Sequence, residues 1–185
     1  MAEFSSYCEA VASGKLSDLH KEYHDTVYGF PAKNDNELFG KMLMEMNQAG
    51  LSWDIILKKK DTIREAYANF DIDTVASFND AMVEDLLQNP GIIRMRAKIN
   101  AAITNAKKIQ ELQTSHGSFA NWLDAQSPQP IEGWIKLFKK TFRFMGKETA
   151  KEFLMASGYI KGAHEDNCPI HQLIIKQNPK WLEYS

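Results

Sequence analysis

Apolar side chains recur along this chain at the spacing of amphipathic helices. The clearest case lies between Asn36 and Asn47, where one helical face carries Leu38, Phe39, Met42, Leu43 and Met46. Residues three and four positions apart share a helix face, so this stretch predicts a helix with one buried side. Asn34 or Asp35 can cap its first turn, and Gly50 interrupts the pattern.

Further helices are predicted along the rest of the chain, joined by short connections. One restarts at Ser52 or Asp54 and runs through residue 57, with Lys58-Lys59-Lys60 near its end. The others cover residues 61–70, 74–78, 80–89, 94–113, 119–124, 135–144 and 149–157. The long helix 94–113 has a predicted buried stripe formed by Ile99, Ile103, Ala106 and Ile109. No segment alternates as a strand does, and residues 127–130 read as a connection between helices rather than a domain linker. We therefore predict an all-α fold in a single domain, residues 1–185.

Composition and charge narrow the function classes. The chain has 185 residues, is 44% hydrophobic, and carries a formal net charge of −2. That charge argues against a purely electrostatic nucleic-acid binder, although a local basic patch is compatible with it. No apolar run approaches the length of a membrane span, and the acidic N-terminal segment, residues 1–10, does not resemble a secretory signal. We expect a cytoplasmic protein that does not bind a membrane.

A turn between two predicted helices carries the first chemical signal. One helix stops at Asn89, Pro90-Gly91 breaks it, and the next helix opens with basic side chains; we call residues 90–98 the hairpin segment. The first amides of a helix lack internal partners and form an anion site suited to a phosphate. Cations are disfavoured at a helix N-terminus, which favours a functional reason for them. The residues predicted to contact a DNA backbone are Gly91, Ile93, Arg94, Arg96 and Lys98. The alternative is an ordinary turn with a solvated basic face.

A set of short motifs is spread over nearly the whole chain. They are Tyr23-His24-Asp25 with Tyr28-Gly29-x-Pro31, Leu43-Met44-Glu45, Gln48-Ala49-Gly50-Leu51-Ser52-Trp53, Leu57-Lys58-Lys59, Phe70-Asp71, the segment Gly91–Ile99, Phe142-x-Phe144-x-Gly146, and His164-x-x-x-Cys168. In residues and in order, this set is similar to the motifs of the DNA-3-methyladenine glycosylase I family. The resemblance implies a helix-hairpin-helix fold and base flipping. It also implies hydrolysis of the N-glycosidic bond of 3-methyladenine in alkylated double-stranded DNA, without strand cleavage.

The same resemblance implies a structural Zn²⁺ that ties the two chain ends together. Its ligands would be Cys8, His24, His164 and Cys168. Two cysteines and two histidines fill a tetrahedral shell with no open position, as in structural zinc sites. The alternatives are free thiols with surface histidines, or a Cys8–Cys168 disulfide, which a cytosolic setting disfavours. His20 lies one turn from His24 and competes with it.

Four residues are candidates for handling the damaged base. Glu45 lies on the predicted helix 36–47, and the resemblance makes the methylated base its partner; the alternatives are a surface glutamate or an internal ion pair. Tyr23 and Trp53 offer aromatic faces to a cationic base, although core packing also suits them. Leu51, after Gly50, is a candidate wedge for the gap left by a flipped nucleotide, or one more core leucine.

The chain departs from the family pattern near this predicted pocket. Ala10 stands where the family usually has an aromatic residue, Met46 stands where it usually has glycine, and Lys147-Glu148 replaces neutral residues. These changes leave the hairpin segment untouched. We therefore expect a monomeric glycosylase that binds alkylated duplex DNA, with a catalytically altered or inactive relative that binds DNA or damaged bases as the alternative.

Overall fold

The structure of the chain is a computed structural model that describes residues 4–184. Within that range it contains helices and no strand, which confirms the all-α prediction. The α-helices are α1 (Tyr7–Ala12), α2 (Asp18–Thr26), α3 (Asp35–Gln48), α4 (Trp53–Lys58), α5 (Lys60–Ala66), α6 (Ile72–Ala76), α7 (Asp80–Gln88), α8 (Arg96–His116), α9 (Phe119–Gln126), α10 (Ile131–Thr141), α11 (Lys147–Ala156) and α12 (Pro169–Ile175). Two 3₁₀ helices cover Ala68–Phe70 and Lys180–Tyr184.

The ends of the chain are only partly described. Residues 1–3 and residue 185 lie outside the described residues. The first three belong to the segment in which the sequence predicts no secretory signal, and residue 185 is the last of the predicted domain. From residue 4 to residue 184, every helix is too short or too polar to cross a membrane.

Polar side chains at helix N-termini explain where several helices begin. Asn34 caps α3 by accepting a hydrogen bond of 2.9 Å from the amide of Glu37. The neighbouring candidate, Asp35, instead accepts the amides of Phe119 and Ala120 at 2.7 and 3.0 Å. These amides open α9, so one carboxylate of α3 satisfies the first turn of another helix.

The chain divides into two compact units. Unit 1 comprises Met1–Ala32 and Leu154–Ser185, and unit 2 comprises Lys33–Phe153. This division does not decide the single domain predicted for residues 1–185, which stays a prediction.

Unit 2 is organised around α8, which packs against α3, α6, α7 and α9. The stripe predicted for this helix, Ile99, Ile103, Ala106 and Ile109, is buried throughout. A group of aromatic rings completes the core, formed by Phe119, Trp122, Phe138, Phe142 and Phe153.

Several helix boundaries in unit 2 differ from the prediction, and three of them have a clear cause or conformation. The helix predicted from Arg94 begins at Arg96, because Met95 is extended and serves as its N-cap. The helix predicted for residues 135–144 runs over Ile131–Thr141 and begins directly after Pro130, whose backbone is extended and serves as its N-cap. The helix predicted for residues 61–70 stops at Ala66, and the three residues Ala68–Phe70 have φ between 52° and 64°.

Unit 1 contains α1, α2 and α12, none of which the sequence predicts. These helices have 6, 9 and 7 residues. So few residues give an apolar stripe of one or two positions, which periodicity does not detect. The centre of this unit is formed instead by four buried side chains, Cys8, His24, His164 and Cys168.

Candidate functional site

The strongest candidate site in unit 1 is a cluster of four buried metal-ligand side chains, Cys8, His24, His164 and Cys168. Their nearest ligand atoms all lie within 4.8 Å of one another. Cys8 comes from α1, His24 from α2, and the other two from the segment before α12. The cluster therefore joins the N-terminal and C-terminal regions of the chain, as the sequence predicts.

The spacing within the cluster fits a tetrahedral metal ion. The four sulfur–nitrogen separations are 3.4, 3.6, 3.6 and 3.8 Å. A tetrahedron with zinc–sulfur bonds of about 2.3 Å and zinc–nitrogen bonds of about 2.0 Å places sulfur and nitrogen about 3.6 Å apart. Both cysteines are free thiols, so the alternative of a disulfide is wrong.

Hydrogen bonds orient both histidine rings toward the cluster. His24 Nδ1 lies 2.7 Å from Asp25 Oδ1, which leaves its Nε2 facing the two sulfurs. His164 Nε2 donates to the backbone oxygen of Tyr28 at 2.8 Å, which leaves Nδ1 as the ligand atom. Burial lowers the pKa of His164 to about 4, so its imidazole is neutral, the form that binds metals.

The surroundings of the cluster account for the glycine at position 29 and decide between His20 and His24 as a ligand. Gly29 has a φ of +83°, and a Cβ there would lie 2.8 Å from Ala163 Cβ and 3.3 Å from His164 Cδ2, so a side chain would displace the ligand loop. His20, the competitor of His24, lies outside the cluster, and its Nδ1 is 3.0 Å from the hydroxyl of Tyr7.

In unit 2, Glu45 lies buried on α3, with 5% of its surface exposed. That burial excludes the alternative of a surface glutamate. The sequence missed its neighbour Lys41, which is also buried and lies one helical turn earlier on the same face. Burial lowers the pKa of Lys41 to about 8, while the charges of Glu37 and Glu45 act in the opposite direction. Glu45 therefore shares its helix face with a buried amine.

The other base-handling candidates are half-buried. Leu51 and Trp53 follow the end of α3, where Gly50 turns the chain with a φ of +82°. Tyr23 lies in unit 1, directly before the ligand His24, with its ring centroid 5.7 Å from that of Tyr28. Each keeps part of its aromatic or apolar surface exposed.

The hairpin segment has a rigid turn and an exposed basic tip. Asn89 Oδ1 accepts the amide of Gly91 at 2.8 Å, while the hydroxyl of Thr62 donates to the Gly91 carbonyl at 2.6 Å. Ile93 is half-buried and Arg94 is exposed. Arg96 is also exposed and pairs with Glu84 at 2.6 Å, a surface pair that contributes little to stability.

The sequence predicts an anion site at the first turn of α8. No side chain caps this helix, which begins directly after the turn and runs for 21 residues. Met95 is exposed beside the arginines, an apolar side chain at this tip that the sequence analysis does not predict. The arrangement presents amides, two guanidinium groups and an apolar side chain on one short segment.

Lys98 is placed differently from the prediction. Only 4% of its surface is exposed, and its Nζ donates at 2.7 Å to the carbonyls of both Asn47 and Ala49. These carbonyls lie at the C-terminal end of α3. An ammonium group there donates to carbonyls that have no partner within the helix, and its positive charge is favoured at the negative end of the helix dipole. Lys98 therefore holds the turn that leads to Leu51, and it does not face solvent as a phosphate contact would.

The sequence also missed Asn105, which is fully buried on α8. Its Oδ1 accepts the amide of Arg143 at 2.8 Å, and its Nδ2 donates to the carbonyl of the same residue at 3.0 Å. This reciprocal pair fixes the loop between α10 and α11, where Phe144 adopts a φ of 56° and is 40% exposed. The Phe142-x-Phe144-x-Gly146 motif is thus a loop held against α8.

Comparison with known proteins agrees with this geometry. Residues 13–135 match the family described as Methyladenine glycosylase. DNA-3-methyladenine glycosylase 1 of Escherichia coli is 30% identical over 161 residues, which cover 77% of this chain and 86% of that protein. DNA-3-methyladenine glycosylase of Haemophilus influenzae is 29% identical, covering 82% and 91%. The chain belongs to the methyladenine glycosylase family.

Solved structures show the same fold. The 3-methyladenine DNA glycosylase I of Staphylococcus aureus has a TM-score of 0.79 at 28% identity, covering 89% of this chain and 97% of that one. A variant 3-methyladenine DNA glycosylase I in complex with 3-methyladenine has a TM-score of 0.77 at 29% identity, covering 86% and 95%. The predicted glycosylase fold is therefore confirmed.

Proposed function

We propose that this chain excises 3-methyladenine from alkylated double-stranded DNA by hydrolysing its N-glycosidic bond. The observation that carries the proposal is a buried carboxylate, Glu45, in a member of a family whose relatives are 3-methyladenine glycosylases. N3-methylation leaves the base cationic in DNA, so it departs as a neutral molecule without being protonated. A buried carboxylate favours that cation over normal bases.

The chemical step needs little acid–base machinery. The bond between the sugar C1′ and the base nitrogen breaks, and its electron pair leaves with the base. A water oxygen then bonds to C1′ and releases a proton to solvent. In this proposal Glu45 holds the cationic base and Trp53 provides an aromatic face, while the aromatic contact of Tyr23 with the base stays a prediction from the sequence. Leu51 would fill the space vacated by the flipped nucleotide.

The hairpin segment would hold the DNA backbone on either side of the flipped nucleotide. The proposed contacts are the amides near Gly91 and Ile93 and the exposed guanidinium groups of Arg94 and Arg96. Lys98 is left out of this set because its ammonium group is buried against α3. We also propose that the protein acts as a monomer in the cytoplasm; light scattering on the free and DNA-bound protein would test its oligomeric state.

The test of the function is release of free 3-methyladenine from methylated duplex DNA. Glu45→Gln should reduce single-turnover release by about 100-fold, the scale of losing one electrostatic contact in the transition state. It should leave the affinity for undamaged duplex unchanged. Undiminished release by this variant would contradict the role of Glu45.

The alternative is a relative that binds damaged DNA without releasing a base. Lys41 favours it, because an amine beside Glu45 competes with a cationic base for the carboxylate. Binding of alkylated duplex with no free base under single-turnover conditions would establish this alternative.

We propose Zn²⁺ as the ion of the cysteine–histidine cluster. Two sulfurs and two nitrogens complete its coordination, so the ion would stabilise the fold and leave no position for substrate. Purified protein should contain one zinc per chain, and Cys168→Ser should lose it. His20→Gln, which alters a buried histidine outside the cluster, should keep the metal. Metal content well below one per wild-type chain would contradict the proposal.

A further inference from the structure

A basic cleft lies on unit 2 between α10 and α11. Its volume is about 660 Å³, and we call it the lysine cleft. Its lining consists of Ile131, Glu132, Ile135, Lys136, Lys139, Lys147 and Lys151. Four ammonium groups thus surround a floor that is partly apolar.

The lysine cleft carries a concentrated net positive charge, with four lysines against one glutamate in its lining. Residues 131–151 contain six basic and two acidic side chains, in a chain whose formal net charge is −2. All four lysines are exposed, and none of them forms an ion pair with any residue between 4 and 184. Like charges lining one cleft repel each other, and a bound polyanion relieves that repulsion.

The loop beside the lysine cleft is hydrogen-bonded to α8, the helix that begins at the hairpin segment. The loop between α10 and α11 is bonded to Asn105, nine residues after the first residue of α8. Nine helical residues span about 14 Å. That length corresponds to about four base pairs at about 3.4 Å each. A duplex that leaves the hairpin segment along the direction of α8 would pass this loop within half a helical turn.

We propose that the lysine cleft binds phosphates of the DNA that flanks the damaged nucleotide, as a second backbone contact beyond the hairpin segment. The proposal rests on the proposed function, which brings duplex DNA to unit 2. Phosphates meet the four ammonium groups, and deoxyribose carbons meet Ile131 and Ile135. The exposed ring of Phe144, held on the connecting loop, offers a further contact with the same strand.

The test is the salt dependence of binding to an undamaged duplex of 30 base pairs. A variant with three changes, Lys139→Gln, Lys147→Gln and Lys151→Gln, removes most of the cleft's charge. Each phosphate contact contributes about 0.9 to the slope of log affinity against log salt. The slope should therefore be shallower than that of the wild type by about 3.

The matched control has the same change in net charge at other exposed positions. It carries Lys33→Gln, Lys107→Gln and Lys176→Gln, and it should keep the wild-type slope. Equal slopes for the cleft variant and this control would overturn the proposal. The proposal would also be overturned if the salt slope of DNA binding stayed unchanged in the cleft variant while binding to phosphatidylserine vesicles depended on these lysines. That result would assign the cleft to a lipid surface.

Failure of the proposed function is distinguished by measuring base release separately. With saturating enzyme, the cleft variant should release 3-methyladenine at the wild-type single-turnover rate. If the wild type releases no base, the glycosylase proposal fails. The salt slopes on undamaged duplex still decide whether the cleft binds DNA.

Discussion

Replacing Lys98 with methionine separates a structural lysine from a phosphate-binding one. Methionine keeps most of the side-chain volume but has no ammonium group to donate to the carbonyls of Asn47 and Ala49. Each hydrogen bond from a charged donor contributes about 1.5–3 kcal/mol. Removal of a buried charge offsets part of that loss, because burial already lowers the pKa of Lys98. We expect Lys98→Met to lose about 3 kcal/mol of stability.

Thermal unfolding and DNA binding together test this expectation. For a chain of this length, each kcal/mol corresponds to about 2–4 °C in Tm, so Tm should fall by roughly 6–12 °C. The slope of log affinity against log salt should stay at the wild-type value, because no phosphate contact is lost. Lys107→Met, an exposed position on the same helix, should change neither quantity.

The opposite pattern would refute the structural role of Lys98. An unchanged Tm with a slope shallower by about 0.9 would mean that Lys98 reaches a phosphate in solution.

Three further predictions address stability. Chelation of the metal should lower Tm and expose both cysteines to a thiol reagent; thiols that stay unreactive in the metal-free protein would contradict a role in closing unit 1. Between pH 8 and 10.5 the unfolded chain binds more protons at Lys41 than the folded one. Stability should therefore rise with pH in that window by up to roughly 3 kcal/mol relative to Lys41→Met, measured by urea unfolding; parallel profiles would count against it. Asn105→Ala removes both bonds to Arg143 and should cost about 2–4 kcal/mol, and a loss under 0.5 kcal/mol would show that the loop does not depend on it.

The sequence predicts what depends on periodicity and on residue type. The stripe of α8 and the four metal ligands follow from spacing and motif, and the structure places them together. The sequence predicts the start of α8 two residues too early. The turn holds the backbone of Met95 in an extended conformation, which the residue type of Met95 does not indicate. The helices of unit 1 were missed because they are short and pack around polar ligands.

Whether a lysine side chain points to solvent or to the interior does not follow from its residue type. Residue type suggests that Lys98 faces solvent, but it lies four and seven positions before the buried residues Ala102 and Asn105, on one helix face. Lys41 likewise lies three residues after Leu38 and four before Glu45. Applying the helical period to charged residues as strictly as to apolar ones would have placed both lysines in the interior.

The cysteine–histidine cluster also constrains how the chain is made. Cys8 and His164 are 156 residues apart, and His24 and Cys168 are 144 apart. During synthesis the first two ligands leave the ribosome long before the other two exist, whereas every residue of unit 2 lies between them in the sequence. Unit 2 can therefore complete its contacts on the nascent chain, while unit 1 closes only after the last helices are released.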